Sequence, residues 1–350
     1  MNLVMEVMNA ERILLTRTDR LGDVVLSTPV IRFLRQKYPT AHIAMMVRPY
    51  TRDIVINNPD LNEVILYDKC DKQKGLWSTI KFAFALRKKR FDVGIALHPT
   101  NRVHLMLFFA GVPTRIGYDK NFGKLLTKRV LHAKQKGSMH EADYNFNFLK
   151  EAGLDVSGAD HHPYMNTSDD EKKLVDVVLA DQGVGRDFIV LHAGASCPSK
   201  RWSPERFSKV ADSLAGDFGC DIVLIGGADA EKYNSLVAEN MDMKVFDLTD
   251  MLRVGELAEL LKRSKLLISN DSGPVHVATA VGTPVVCVFG RADSGLSPKR
   301  WGPLGEKDIV LHKNVGCREC LAHNCQKDFA CLKAITADEV ITAAKQILNG

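Results

Sequence analysis

A turn in the second half of the chain combines polar residues that could bind a phosphate. The apolar run at residues 265–268 predicts a buried parallel strand, and a polar turn containing Asp271, Ser272 and Gly273 follows it. An apolar helix is predicted over about 274–281, with Asp271 or Ser272 as its cap. Backbone N–H groups at the start of a helix, beside the carboxyl end of a strand, can hold a phosphate.

A second turn supplies small residues and positive charge. It follows the apolar run 188–192 and contains Gly194, Ala195, Ser196 and Lys200. The small residues offer N–H and O–H donors without steric bulk, and the lysine adds a point charge. Together these groups suit a diphosphate, although a basic surface loop would have the same composition.

The first half of the chain offers a candidate catalytic carboxylate in a corresponding turn. Residues 16–24 follow a predicted strand and place Asp23 beside Gly22, close to the start of a helix. The turn lacks the GxGxxG pattern of dinucleotide sites. From spacing alone, Asp23 is also compatible with a helix-capping or first-turn acid, and Asp19 and Arg20 with a local ion pair.

Two further candidates lie near helix starts in the second half. Glu231 comes soon after a predicted strand that ends in Gly226 and Gly227, where a carboxylate could accept hydrogen bonds from two ribose hydroxyls. The alternative for Glu231 is an acid at a capped helix start. His276 lies in the helix that follows Asp271, either as a ligand-binding residue or as a buried ring with its hydrogen bonds satisfied.

Four of the eight cysteines cluster as Cys317-x2-Cys320-x4-Cys325-x5-Cys331. A structural zinc site needs four ligands around one ion, and this spacing permits it. The ligands do not form the usual two CxxC pairs, so a reduced cysteine-rich loop is the alternative.

These turns need strands and helices to position them, and the apolar pattern predicts both. Strands alternate with helices from residue 12 to residue 110, and the alternation returns from residue 170 to residue 289. Such alternation predicts right-handed βαβ units and parallel sheets. The polar stretch 153–170 predicts a linker, and a last helix is predicted over 337–348. The fold class is therefore α/β, with two doubly wound domains facing across a cleft.

Composition limits the class of protein. Hydrophobic residues make up 45% and charged residues 25%, as in soluble globular proteins, and 350 residues favour two domains. No apolar run approaches the roughly 20 residues that span a bilayer, and no signal peptide is expected because residues 1–7 lack a basic region. The formal charge of +5 is compatible with an anionic small molecule or membrane surface. Residues 81–90 and 104–109 are candidate membrane contacts, although core helices explain them equally well.

Three of these segments together resemble the ADP-heptose:lipopolysaccharide heptosyltransferases of glycosyltransferase family 9. The matching segments are 17–23 ending in Leu-Gly-Asp, 194–202 with Gly-Ala-x4-Lys-Arg-Trp, and 270–276 with Asn-Asp-Ser-Gly and a histidine. The four-cysteine tail is also similar to that of family members, and the resemblance covers nearly the whole chain. The 194–202 pattern is more similar to the second heptosyltransferase than to the first. The resemblance implies the GT-B fold, with two Rossmann-like domains.

The resemblance also implies a role for each candidate residue. Asp23 matches the catalytic general base that takes the proton of the acceptor hydroxyl, and Lys200 matches a residue that holds the diphosphate and stabilises the leaving group. The other implied donor-binding residues are Gly194, Ala195 and Ser196 at the diphosphate, Glu231 at the ribose, Met251 and Leu252 at the adenine, and Asp271, Ser272, Gly273 and His276 at the sugar and phosphates. Members often have Pro-Gly-Ala where this chain has residues 192–195, and some carry threonines where Ala195 and Ser196 stand. Backbone N–H groups are therefore expected to contact the phosphates at those two positions.

The implied activity is inverting transfer of L-glycero-D-manno-heptose from ADP-heptose to a heptose or Kdo of the lipopolysaccharide inner core. Residues 1–160 would bind the acceptor, residues 161–335 the ADP-sugar, and the helix 336–350 would pack back toward the N-terminal domain. The enzyme would be cytoplasmic, peripheral to the inner membrane and without a nucleic-acid partner. It would require no cofactor or catalytic metal, because no DxD-like carboxylates flank the nucleotide site.

Three alternatives remain beside this activity. A family 9 enzyme could use a different nucleotide sugar or acceptor. A non-catalytic nucleotide-binding relative would keep the donor turns and lose turnover. The third alternative is a two-domain epimerase or oxidoreductase, and the missing GxGxxG pattern weighs against it.

Overall fold

A computed structural model of the protein describes residues 10–317 and 319–350, which form two compact units. The first unit contains residues 10–135 and 141–166, and the second contains 136–140 and 167–350. The main change of unit therefore follows residue 166, whereas the sequence suggested a boundary after residue 160. Tyr164 explains the difference, because its N–H donates to Thr28 Oγ1 and its hydroxyl donates to Asp60 within the first unit. The signal-peptide expectation concerns residues 1–7, which lie outside the described residues.

The first unit is built on a parallel sheet of six strands in the order β3-β2-β1-β4-β5-β6. Its strands are β1 Arg12–Thr16, β2 His42–Val47, β3 Glu63–Leu66, β4 Val93–Ala96, β5 Thr114–Tyr118 and β6 Lys128–Val130. Its helices are α1 Leu21–Val25, α2 Thr28–Lys37, α3 Leu76–Arg87, α4 Asn101–Phe109 and α5 Glu141–Glu151, with 3-10 turns at Pro49–Ile54 and Gly123–Leu125. A further 3-10 turn, Lys134–Lys136, spans the first change of unit. Apolar residues of β1 to β4, α3 and α4 form one buried core.

The second unit repeats this order with a second parallel sheet, β12-β11-β10-β7-β8-β9. Its strands are β7 Phe188–His192, β8 Asp221–Leu224, β9 Val245–Asp247, β10 Leu267–Asn270, β11 Val285–Phe289 and β12 Ile309–His312. Its helices are α6 Asp169–Gln182, α7 Pro204–Phe218, α8 Glu231–Glu239, α9 Val254–Arg263, α10 Gly273–Val281, α11 Pro298–Trp301, α12 Ala330–Lys333 and α13 Ala337–Asn349, with 3-10 turns at Pro198–Lys200, Ala228–Ala230, Ser294–Leu296 and Ala322–Asn324.

Each sheet reverses its direction of growth at a pair of central strands. In the first unit β1 pairs with both β2 and β4, and in the second unit β7 pairs with both β8 and β10. Such a reversal leaves a crevice beyond the carboxyl ends of the central strands, where ligands of doubly wound sheets bind. The turns after β1, β7 and β10, which carry Asp23, Lys200 and Asp271, all lie at such positions.

Helix bounds follow the capping residues. Ser168 and Thr336 each accept a hydrogen bond from the N–H of the glutamate three residues later, and that glutamate bonds back to the cap. Helix α6 then ends at Gly183, which adopts the left-handed conformation with φ of 72°. Residues 21–37 form two helices, α1 and α2, because Pro29 lies in the first turn of a new helix.

The last helix, α13, packs within the second unit, and its expected packing toward the N-terminal domain stays a prediction. Its buried residues Val340, Ala343 and Ala344 belong to the core of the second unit, together with Trp202 and Phe207. The apolar face of α13 packs mainly against α7. Within residues 10–317 and 319–350, no helix is both long and apolar enough to cross a bilayer.

Candidate active site

A buried arginine organises the first candidate site. Arg17 directly follows β1 and is 2% exposed. Its Nε donates to Asp19 at 2.9 Å, and its Nη2 donates to Asp23 and, at 3.0 Å, to Glu141. Its Nη1 donates to the Leu97 carbonyl at 3.2 Å. One guanidinium therefore holds three carboxylates at the carboxyl edge of the sheet.

Asp23 lies in the first turn of α1, but its side chain pairs with Arg17 rather than capping the helix. Its side chain is 15% exposed. Burial and the negative charge of Asp19 raise the pKa of Asp23 to about 6, although the positive charge of Arg17 opposes that rise. The carboxylate can therefore exchange a proton near neutral pH, which a general base must do.

The sequence was also compatible with a local ion pair between Asp19 and Arg20, but Asp19 has other partners. Asp19 pairs with Arg17 and, at 3.1 Å, with Nδ1 of His98, which follows β4. Burial opposes ionisation of Asp19, but these partners hold its pKa below the ordinary value. Two neighbouring aspartates thus have pKa values shifted in opposite directions.

Behind Arg17 lies a second cation. Lys134 is 4% exposed, and its Nζ donates to Glu141 Oε1 and, at 3.1 Å, to Asn145 Oδ1. Burial lowers the pKa of Lys134 to about 8, although the charge of Glu141 opposes that change. Sequence reasoning missed Lys134 and Glu141, since they lie in a segment for which no element was predicted.

The second candidate site centres on a buried carboxylate, Asp271, which follows β10 and is 5% exposed. Lys200 Nζ lies 3.2 Å from its Oδ1, and Arg291 Nη2 pairs with its Oδ2. The predicted neighbours Lys200 and Asp271 are thus brought together. Arg291, which lies beyond β11 and is 5% exposed, was missed by sequence reasoning.

The loop that carries Lys200 is fastened to the end of β10. Asn270 Nδ2 donates to the Ala193 carbonyl at 2.7 Å, and Asn270 Oδ1 accepts from the Trp202 N–H at 3.0 Å. Gly290 allows the same loop to approach β11, because a Cβ there would lie 2.7 Å from the Ser199 carbonyl oxygen. The backbone on both sides of Lys200 is therefore fixed.

Ser272 is the N-cap residue of α10 by backbone position, but its hydroxyl does not cap the helix. That hydroxyl lies 3.0 Å from Nδ1 of His192 and 3.0 Å from Oγ of Ser269. Burial lowers the pKa of His192 to about 4, so the ring is neutral at pH 7. Gly273 begins α10, and His276 in its first turns is 4% exposed. The start of α10 thus lacks a side-chain cap, which suits an anion.

The remaining predicted donor residues follow other strands of the same sheet. Gly194 and Ala195 are buried and Ser196 is exposed, in the turn after β7. Glu231 is the exposed first residue of α8, which follows β8. Met251, 44% exposed, and the half-buried Leu252 lie between β9 and α9. All of these residues lie at the carboxyl edge that also carries Asp271.

The four clustered cysteines line one cavity of about 400 Å³. Cys331 Sγ donates to the Gly290 carbonyl, and Cys320 Sγ accepts from the Ala292 N–H. No group of three or more His, Cys, Asp or Glu side chains in the described part of the chain is placed to hold a metal ion. Zinc binding by these cysteines stays a prediction.

Known proteins match the chain over most of its length. The family model for glycosyltransferase family 9 (heptosyltransferase) matches residues 79–330. Lipopolysaccharide heptosyltransferase 3 of Escherichia coli K12 is 29% identical, over 93% of this chain and 95% of that protein. Lipopolysaccharide heptosyltransferase 2 of the same strain is 28% identical, over 87% of this chain and 89% of that protein.

Solved structures share the fold. A family 9 glycosyl transferase from Veillonella parvula DSM 2008 superposes with a TM-score of 0.86 at 27% identity, over 97% of both chains. The E. coli ADP-heptose lipopolysaccharide heptosyltransferase II superposes with a TM-score of 0.78 at 23% identity, over 97% of this chain and 98% of that one. The predicted α/β fold, with two doubly wound Rossmann-like units of the GT-B class, is confirmed. The chain belongs to glycosyltransferase family 9, the heptosyltransferases.

Proposed function

We propose that the protein is an inverting heptosyltransferase that moves L-glycero-D-manno-heptose from ADP-heptose to a heptose or Kdo of the lipopolysaccharide inner core. Membership of family 9 supports the reaction class, and relatives named lipopolysaccharide heptosyltransferases 2 and 3 support the pathway. The single observation that supports the catalytic role is the environment of Asp23 in the turn after β1. There the carboxylate pairs with Arg17 and has a pKa of about 6.

In this proposal Asp23 is the general base. A sugar hydroxyl is a poor nucleophile until its proton is withdrawn in the transition state. A base whose pKa lies near 6 is ionised at pH 7 and still has more proton affinity than an ordinary aspartate. The acceptor oxygen then attacks the anomeric carbon as ADP departs from the opposite face, which inverts the configuration. The proton passes to Asp23, and the glycosidic electron pair leaves with ADP.

The donor is assigned to the turns of the second unit. Lys200 and Arg291 bring two positive charges to Asp271, so their combined charge exceeds that of the carboxylate they share. This excess, with the N–H groups at the start of α10, can stabilise the charge that develops on the departing diphosphate. The carboxylate of Asp271 is paired with these two cations and can accept hydrogen bonds from sugar hydroxyls.

The nucleoside is assigned to the outer strands of the same sheet. Glu231 is exposed and can accept hydrogen bonds from the ribose hydroxyls, and Met251 and Leu252 offer apolar surface to adenine. The phosphates and the sugar are assigned to the neighbouring turns, whose residues are Gly194, Ala195, Ser196, Ser272, Gly273 and His276. The lipid-linked acceptor places the reaction at the cytoplasmic face of the inner membrane, with peripheral contact between protein and membrane.

The test is incubation of the purified protein with ADP-heptose and a set of truncated lipopolysaccharide acceptors, with the product linkage assigned by NMR. The expected product carries one new heptose with inverted anomeric configuration. A parallel panel of UDP-, GDP- and ADP-sugars tests the donor. Transfer from a different nucleotide sugar would replace the proposed donor, and binding of ADP-heptose without any transfer would replace the proposed enzyme with a binding protein.

A further inference from the structure

A continuous line of buried charges runs behind the proposed base. Lys134 Nζ donates to Glu141 Oε1, the same oxygen lies 3.0 Å from Arg17 Nη2, and that Nη2 also donates to Asp23. Exposure is 4% for Lys134, 0% for Glu141 and 2% for Arg17. Lys134 is therefore connected to Asp23 through two intervening side chains that solvent does not screen.

Asn145 fixes the geometry of this line. Its Oδ1 accepts from both Lys134 Nζ, at 3.1 Å, and Arg17 Nη1, at 3.3 Å. Its Nδ2 donates to the Leu26 carbonyl at 2.9 Å, just beyond the end of α1. One amide thus ties the two cations to the helix that carries Asp23, so that neither cation can move without affecting the other.

Stability alone does not account for these buried charges. Desolvating an ion pair costs about as much as the pair regains, so an apolar contact of the same volume would anchor α5 at least as well. The cluster also holds three carboxylates, Asp19, Asp23 and Glu141, against two cations. The balance of charge near Asp23 therefore depends on each remaining member.

We infer that Lys134 and Glu141 are positioning residues that act on Asp23 through Arg17 and set how readily that carboxylate takes a proton. This inference rests on the proposed role of Asp23 as the base. Lys134 supplies positive charge that favours the ionised carboxylate, and Glu141 supplies negative charge that favours the protonated one. Removing each charge should therefore move the proton affinity of Asp23 in opposite directions.

The other charged and titratable residues near Asp23 are the same in the wild-type protein and in variants at Lys134 or Glu141. They belong to β1, the loop that follows it, the start of α1, the 3-10 turn at Pro49–Ile54 and the end of β4, and they are Arg17, Asp19, Arg20, Tyr50 and His98. Burial lowers the pKa of Lys134 to about 8, so Lys134 remains charged around pH 6, where Asp23 titrates.

The test compares K134M and E141Q with the wild-type enzyme, using K136M as the matched control. Lys136 is exposed in the same 3-10 turn as Lys134. The measurement is the pH profile of kcat/KM for heptosyl transfer between pH 5 and 8. K134M should move the acid limb up by about one pH unit, E141Q should move it down by about one unit, and K136M should leave it in place. The charge-retaining variant K134R should restore the wild-type limb.

A second readout needs no substrate. Titration of the Asp23 carboxyl by ¹³C NMR in wild type, K134M and E141Q should give the same opposite shifts. If D23N still transferred heptose, the proposed base would be wrong, yet this titration would still decide the inference. Because Gln is isosteric with Glu, E141Q decides it even if K134M does not fold. Equal losses of kcat/KM at every pH in both variants, with an unmoved Asp23 titration, would overturn the inference.

Discussion

Two carboxylates near the carboxyl ends of central strands, the half-buried Asp23 and the buried Asp271, have opposite charge surroundings. Asp23 shares its cluster with two other carboxylates, Asp19 and Glu141, and with two cations. Asp271 is paired by two cations, Lys200 and Arg291, and by no second carboxylate in the contacts of the described residues. The first cluster therefore has an excess of negative charge, and the second an excess of positive charge.

The comparison shows how one architecture can support two kinds of chemistry. Both carboxylates occupy the crevice where a doubly wound sheet reverses its direction of growth. An excess of negative charge makes a carboxylate a better proton acceptor, and an excess of positive charge makes a site for an anion. Strand order thus supplies the position, and the ionic partners determine whether that position suits a base or a diphosphate.

The largest expected effect comes from removing the carboxylate of the first cluster. D23N should lower kcat by about a thousandfold, because general-base catalysis contributes 10²–10⁴ and Asn cannot take a proton. The dissociation constant for ADP-heptose, measured by calorimetry, should change by less than about threefold, because the donor is assigned to the second unit. Retained turnover in D23N would remove Asp23 from the mechanism.

Removing a cation from the second cluster should change the chemistry of the leaving group. K200M should lower kcat/KM about a hundredfold, because a preorganised charge at a developing anion contributes about that much. The matched control is K209M, an exposed lysine on α7 in the same unit. Equal behaviour of K200M and K209M would show that Lys200 has no part in donor binding or departure.

A smaller effect is expected at Arg291. R291M should weaken binding of ADP-heptose about tenfold, since one charge-assisted contact is lost while Lys200 still offsets Asp271. R186M, at an exposed arginine of the same unit, should bind as the wild type does. If R291M bound ADP-heptose normally but lost turnover, Arg291 would act by orienting Asp271 rather than by attracting the donor.

Much of the second cluster was predictable from sequence, because Lys200 and Asp271 both lie in polar turns directly after apolar strands. Arg291 also follows such a strand, Val285–Phe289, and a search of every strand end for cations would have found it. The last helix, starting at residue 337, was also predicted, and a Thr-x-x-Glu box marks its start in the structure.

The partners of Asp23 were less predictable. Glu141 contacts Arg17 from more than a hundred residues away in sequence, and Lys134 joins the cluster through Glu141. Neither Glu141 nor Lys134 follows a strongly apolar strand. Strands β5, β6 and β12 were missed for a related reason, since they are short and carry polar residues such as Thr114, Arg129 and His312. Periodicity detects burial on one face, whereas long-range ionic contacts leave no local pattern.

The smallest expected effect concerns stability, and it separates the two aspartates of the first cluster. The pKa of Asp23 is raised in the folded state to about 6, so the folded state binds more protons than the unfolded state between about pH 4 and 6. Stability therefore falls as pH rises through that window, and above it the ionised Asp23 costs about 3 kcal/mol. D23N should accordingly raise the apparent Tm at pH 8 by a few degrees and leave it unchanged near pH 3.5.

D19N should do the opposite. The pKa of Asp19 is lowered in the folded state by Arg17 and His98, so its ionised form contributes stability above the unfolded pKa and loses it as pH falls. D19N should therefore lower the apparent Tm at pH 8, and the difference from wild type should shrink toward pH 3. Thermal unfolding of wild type, D19N and D23N across this pH range measures both signs at once. The expected Tm shifts have opposite signs because the cluster favours the ionised form of Asp19 and the protonated form of Asp23. Tm shifts of the same sign in the two variants would contradict this.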